Sequence, residues 1–100
     1  MKRFEVVVVP TALEQVRKVD EWWQRERVSV PDLFVEEFCA ALDRLAAVPS
    51  SGAVYDGGHR RDLRRLLMPR TRYHVYYVAA QDRVAVLAVW HATRGERPRL

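Results

Sequence analysis

The chain has 100 residues, 17 Lys+Arg against 13 Asp+Glu, a formal net charge of +4, and 49% apolar residues. That length supports one domain, residues 1–100, burying roughly two-thirds of its unfolded surface around a single core, and the apolar fraction excludes intrinsic disorder. No apolar run approaches the roughly 20 residues of a membrane span, no signal-peptide pattern opens the chain, and one cysteine forms no internal disulfide, so a cytoplasmic protein without a membrane partner is expected.

In chain order, Phe4–Val9 is the first strand, with four consecutive valines that suit burial on both faces. Pro10 ends it. Thr11 and Glu14 have the spacing of a capping box, opening a helix that runs to about Arg27. Ala12, Val16, Val19 and Trp23 form its apolar stripe, widened by Leu13 and Trp22. After a short break a second helix starts at Pro31, carries Phe34, Phe38, Leu42, Leu45 and Val48 on one face, and stops at Pro49. Cys39 falls on this helix and reads as a core thiol. The few residues between the helices predict an antiparallel hairpin.

Ser50–Arg61 reads as the one long loop. Three strands follow, Leu63–Met68, Arg72–Ala80 and Arg83–His91, joined by turns short enough to make them antiparallel neighbours. In the second, Tyr73, Val75 and Tyr77 oppose His74, Tyr76 and Val78. In the third, Val84, Val86, Ala88 and Trp90 oppose Ala85, Leu87, Val89 and His91. The order β-α-α-β-β-β predicts an α+β domain, a helical hairpin packed on a curved, mostly antiparallel four-stranded sheet.

Charge is segregated along the chain. Residues 1–58 carry seven basic and ten acidic groups, whereas residues 59–100 carry ten Arg against Asp62, Asp82 and Glu96. A basic face for nucleic acid or an acidic protein follows from that separation. His59, His74 and His91 lie on different segments without the spacing of metal ligands, and no phosphate loop or nucleophile elbow is present, so neither metal nor cofactor is expected. Gly57, Gly58 and His59 have the composition of a loop and of an anion nest alike. Arg61 and Arg65 project to one face of their strand and Arg60 and Arg64 to the other, where they meet solvent, a partner, or helix carboxylates such as Glu36 and Glu37.

Pro49-x-x-Gly52 after the helix pair, Leu63-Arg-Arg65, Tyr73-His-Val-Tyr-Tyr77 and the closing Val89-Trp-His-Ala-Thr-Arg94-x-x-x-Pro98 resemble the RelE/ParE superfamily of bacterial toxins over essentially the whole chain. The resemblance implies the toxin half of a type II toxin–antitoxin pair, a cognate antitoxin and a toxin–antitoxin hetero-oligomer. His74 stands where many RelE-like nucleases carry Arg, no aromatic residue follows Trp90, and the last lysine is Lys18. The chain therefore looks closer to ParE-like inhibitors of DNA gyrase, with His91, Arg94, Arg97, His74 and Tyr73 expected at the target and Trp22, Trp23, Phe34, Trp90 and Arg61 at the antitoxin. The alternative is a ribosome-dependent messenger RNA endoribonuclease using His91 and Arg94 with Arg64 or Arg65. A third reading is a toxin-derived interaction module that is no longer toxic.

Overall fold

In the computed structural model, which describes residues 2–56 and 62–93 together with Pro98 and Leu100, β1 (Glu5–Val8) leads into a hairpin of α1 (Pro10–Glu26) and α2 (Leu33–Ala47). A single 3-10 turn, Pro49–Ser51, precedes β2 (Ala53–Val54), β3 (Arg64–Met68), β4 (Tyr73–Ala80) and β5 (Arg83–His91). The sheet order is β1-β5-β4-β3-β2, with β1 parallel to β5 and every other pair antiparallel. It has five strands rather than the expected four. The additional one is the two-residue β2, inside the segment read as loop, where Ala53 and Val54 pair with Arg65 and Arg64.

Several local expectations change once the elements pack. The valines of β1 are not buried on both faces: β1 is an edge strand that alternates exposed and half-buried positions, and Val7 is exposed. No capping box forms, because Pro10 is already helical and the N-cap is Val9, leaving Thr11 inside the first turn. Glu14 instead pairs with Arg17 along the helix. Leu13 points to solvent, since the stripe of α1 that meets the sheet is Ala12, Val16, Val19 and Trp23. On α2 the buried stripe is Phe34, Phe38, Ala41 and Leu45; Val48 is exposed, and Cys39, one residue round from Phe38, is exposed rather than a core thiol.

The largest correction concerns β5. Tyr76 pairs with Ala88 but Tyr77 pairs with Val86, so Leu87 is an extra residue on β5, a β-bulge. Strict alternation places Ala88 and Trp90 with Val84 and Val86. The bulge shifts the phase: Val84, Val86 and Val89 join the helix-side core, while Leu87, Ala88 and Trp90 go to the outer face. There Tyr55, Leu63, Tyr76 and Ala88 form a second, smaller core, against which Trp90 and the terminal Leu100 pack. Pro98 is buried too.

The hairpin is locked to the sheet at its closing turn. The buried Tyr77 hydroxyl donates to the Pro49 carbonyl (2.6 Å) and accepts from the Gly52 amide (2.9 Å). A Cβ on residue 52 would lie 2.6 Å from that hydroxyl and 2.8 Å from the Arg65 carbonyl oxygen, so only glycine fits. Gly52→Ala should therefore destabilise the fold by about 2–4 kcal/mol, because one obstacle is backbone. Tyr77→Phe should cost about 1–3 kcal/mol by leaving the buried Gly52 amide unpaired. Urea titrations followed by circular dichroism measure both. Variants as stable as the parent would show that this turn does not anchor the hairpin.

Candidate functional site: an aromatic and cationic groove

Where the C-terminal half of α1 crosses the ends of β4 and β5, the side chains leave a groove of about 560 Å³. Lys18, Val19, Trp22 and Trp23 come from α1 and Arg27 caps its end; Arg70 and Thr71 come from the β3–β4 turn; Tyr73 opens β4 and His91 closes β5. Turn spacing explains the helical wall. Lys18 and Trp22, and Trp23 and Arg27, lie four residues apart and so stack on adjoining faces.

Two ring pairs line the groove. Trp22 and Trp23 meet edge to face at 5.9 Å, and the Arg27 guanidinium sits 5.2 Å from the centre of the first and 5.9 Å from the second. Tyr73 packs edge-on against His91 at 4.9 Å and against Phe34 at 5.1 Å. The Trp23 indole N–H is buried without an acceptor among the described residues, an unpaired donor of the kind that costs about 1–3 kcal/mol. His91 Nδ1 accepts from the Thr93 amide (3.2 Å) and lies 2.7 Å from the Thr93 hydroxyl. The Ala92 amide donates to the Arg72 carbonyl (2.7 Å), fixing the end of β5 beside the turn.

The turn that carries Arg70 is held by one carboxylate. Glu37 of α2 accepts from the Arg70 amide (2.8 Å), the Thr71 amide (2.9 Å) and the Thr71 hydroxyl (2.7 Å). Burial opposes the charge of Glu37, but the bonds from Thr71 and Arg70 and the nearby Arg70 charge outweigh it, so its pKa falls below the usual carboxylate range. Just beyond, Arg72 adopts a left-handed backbone (φ 69°), which turns the chain into β4. Lys18, Arg27 and Arg70 line the groove, and no carboxylate among the described residues does so.

The structure regroups the residues expected at a site. Trp22 and Trp23, assigned to the antitoxin, share this groove with Tyr73 and His91, assigned to the target. Phe34 is fully buried, stacked on Phe38 under Tyr73, so it supports the groove and offers no contact surface, contrary to expectation. His74 and Trp90 face each other across β4 and β5 on the outer side, so neither meets His91 at this site. Burial, with the charges of Arg65 and Arg72, lowers the His74 pKa and keeps that ring neutral. Arg65 lies over the Tyr55 ring on the outer face, whereas Arg64 bonds the Ser50 and Gly52 carbonyls; neither pairs with Glu36 or Glu37. Arg61, Arg94, Arg97 and the Gly57-Gly58-His59 segment lie outside the described residues. Lys18, Arg27, Arg70 and Thr71 were not singled out from the sequence, although the spacing of the first two from the tryptophans carried the signal.

No His, Cys, Asp and Glu grouping suited to a metal ion occurs among the described residues, and none of their helices is long and apolar enough to cross a membrane. A groove of rings and cations suits binding to an apolar and anionic surface.

The fold is a small α+β domain with two helices packed on a five-stranded mixed sheet. Residues 6–95 match the ParE toxin of the type II toxin–antitoxin system parDE, and the chain belongs to that family. Among solved structures it is similar to one described as the chromosomal ParDE TA system from P. aeruginosa, with a TM-score of 0.71 and 11% sequence identity, covering 89% of this chain and 96% of that one. No curated protein matches the chain.

The Glu37 clamp has a testable pH signature. Its native pKa is depressed, so the stabilisation it provides is complete above the ordinary carboxylate range and is lost as pH falls through the native value. Glu37→Ala should cost about 1–3 kcal/mol at neutral pH, and the gap to the parent should close in acid. Denaturant titrations at pH 7 and near pH 3 measure it; a gap independent of pH would assign the loss to packing alone.

Proposed function

We propose that this ParE-family protein inhibits DNA gyrase in the cytoplasm when free, and that a cognate antitoxin silences it within a hetero-oligomer by covering the groove of Trp22, Trp23, Arg70, Tyr73 and His91. The observation that carries this reading is the merging of the two expected surfaces: one groove holds the tryptophans and the Tyr73–His91 pair. A partner seated there excludes any other. Exposed aromatic and arginine side chains around a concave surface are the residue types that dominate protein–protein affinity, and cations in a groove that no described carboxylate lines select an acidic partner. Arg94 and Arg97, which follow His91 in the chain, belong to the same proposed face on the resemblance alone.

The endoribonuclease alternative requires His91 beside Arg64 or Arg65. His91 is paired with Tyr73, whereas Arg64 is paired with Tyr77, four residues further along β4. That separation is about 13 Å along the strands and about 10 Å across two strand spacings, too far for one phosphate. Geometry therefore favours the binding protein.

Trp22→Ala and Arg70→Glu should weaken binding of the neighbour-encoded antitoxin by about 30-fold or more, as for central aromatic and arginine anchors. His91→Ala and Arg70→Glu should relieve inhibition of gyrase supercoiling and growth arrest, with melting temperatures close to the parent. Titration calorimetry and a supercoiling assay read these effects. Unchanged affinity and unchanged inhibition in all three would place both partners elsewhere, and codon-specific cuts on programmed ribosomes would promote the nuclease reading.

A further inference from the structure

His91 reaches the groove because β5 carries one surplus residue. Tyr77 pairs with Val86 and Tyr76 with Ala88, so Leu87 is left over; beyond it Val75 pairs with Val89, His74 with Trp90 and Tyr73 with His91. Hydrophobicity does not choose this register. Val84, Val86, Ala88 and Trp90 make one alternating set, and Ala85, Leu87 and Val89 belong to the other. A strand apolar on both faces is weakly fixed against a slip of one residue. In the regular register, with no bulge, Tyr76 would meet Leu87, Tyr73 would meet Trp90, and His91 would pass to the outer face.

A polar side chain from α1 opposes that slip. Strand β1 runs beside β5 as far as Val8, opposite Val86, and the Val9 amide still bonds the Val86 carbonyl (3.0 Å). There the chain turns into α1: Pro10 has no N–H, and the Val9 carbonyl is taken by the Leu13 amide (2.9 Å). No described strand lies beside Val89 on this side. The bulge turns the Val89 amide toward it, and the half-buried Gln15 closes the gap, its Oε1 accepting from that amide at 2.8 Å. Backbone groups alternate in direction along a strand, and those of Val86 face β1. Without the bulge the Val89 amide would therefore point to β4, so its bond to Gln15 exists in the bulged register alone. Val89 is buried, so bulk water does not replace a lost acceptor.

We propose that Gln15 is a positioning residue: by accepting the Val89 amide it holds β5 in the bulged register and so presents His91, instead of Trp90, to the groove of Trp22, Trp23 and Tyr73. Its consequence for partners rests on the binding reading of that groove; its effect on register does not.

Two substitutions separate the acceptor from the bulk of the side chain. Gln15→Glu keeps an oxygen at the same place, whereas Gln15→Met keeps the length and removes it. Magnetic resonance spectra of the isotope-labelled full chain at neutral pH report the register through the Tyr73–His91 ring contact (4.9 Å) and through amide exchange at Val89. Gln15→Glu should retain both. Gln15→Met should speed Val89 exchange by about tenfold or more and replace the Tyr73–His91 contact with one between Tyr73 and Trp90. Deleting Leu87 from the Gln15→Met chain removes the surplus residue, so pairing beyond Tyr76 becomes regular and the Tyr73–His91 contact should return, even where Gln15→Met alone does not fold. The neighbour-encoded antitoxin should bind Gln15→Met about tenfold more weakly than the parent, and Gln15→Glu as tightly as the parent. An intact Tyr73–His91 contact in Gln15→Met would overturn the proposal, as would its loss in Gln15→Glu or its failure to return on deletion of Leu87. Unchanged antitoxin affinity in a chain whose His91 has left the groove would overturn the groove reading and leave Gln15 in its role.

Discussion

The Tyr77 hydroxyl bonds the Pro49 carbonyl and the Gly52 amide at once, and those two bonds determine where the helical hairpin ends against the sheet. Tyr77 sits in the middle of β4 and is fully buried, so its ring has one place to go. The chain after α2 must then pass close beneath it, which requires the missing side chain of Gly52. The same passage takes the chain out of the sheet plane and limits β2 to two residues. One tyrosine thus sets the helix–sheet geometry and, among the described residues, leaves Leu66–Met68 without a strand partner on the β2 side.

A second constraint is the Glu37 carboxylate. It lies on the wall of a cleft between α2 and β3 while holding the backbone of Arg70 and Thr71, which line the α1 groove. A charged acceptor with three donors is stronger than neutral pairs, so the turn between β3 and β4 is rigid where both surfaces begin. Rigid walls matter for recognition, because side chains already ordered before contact lose less entropy on binding. The Arg27 guanidinium over the edge-to-face Trp22–Trp23 pair is ordered in the same way on the helical wall.

The outer face has a different character. Tyr55, Leu63, Tyr76 and Ala88 make a small core of their own, closed by Trp90 and Leu100. Without it, an antiparallel sheet would expose those residues to water on the side away from the helices. Trp90 closes this core on one side and stays half-buried.

Length, hydrophobic periodicity and turn residues were enough to determine the two helices, the Ala12–Val16–Val19–Trp23 and Phe34–Phe38–Leu45 parts of their stripes and the antiparallel β3–β4–β5 run, because each depends on neighbours three or four residues away or on the next strand. The residues of the site were legible as types: Trp22, Trp23, Tyr73 and His91 all stood out. Their grouping was not. Alternation along β5 puts His91 on the face opposite Val84 and Val86, and only the bulge at Leu87 brings it round to the tryptophans. A bulge inserts one residue into a ladder to reconcile the register of two strands, so it belongs to the pair and leaves no mark on either strand alone. The edge position of β1, the exposure of Cys39 and the burial of Phe34 were likewise decided by which surfaces met, a property of the packed sheet and hairpin rather than of any single segment.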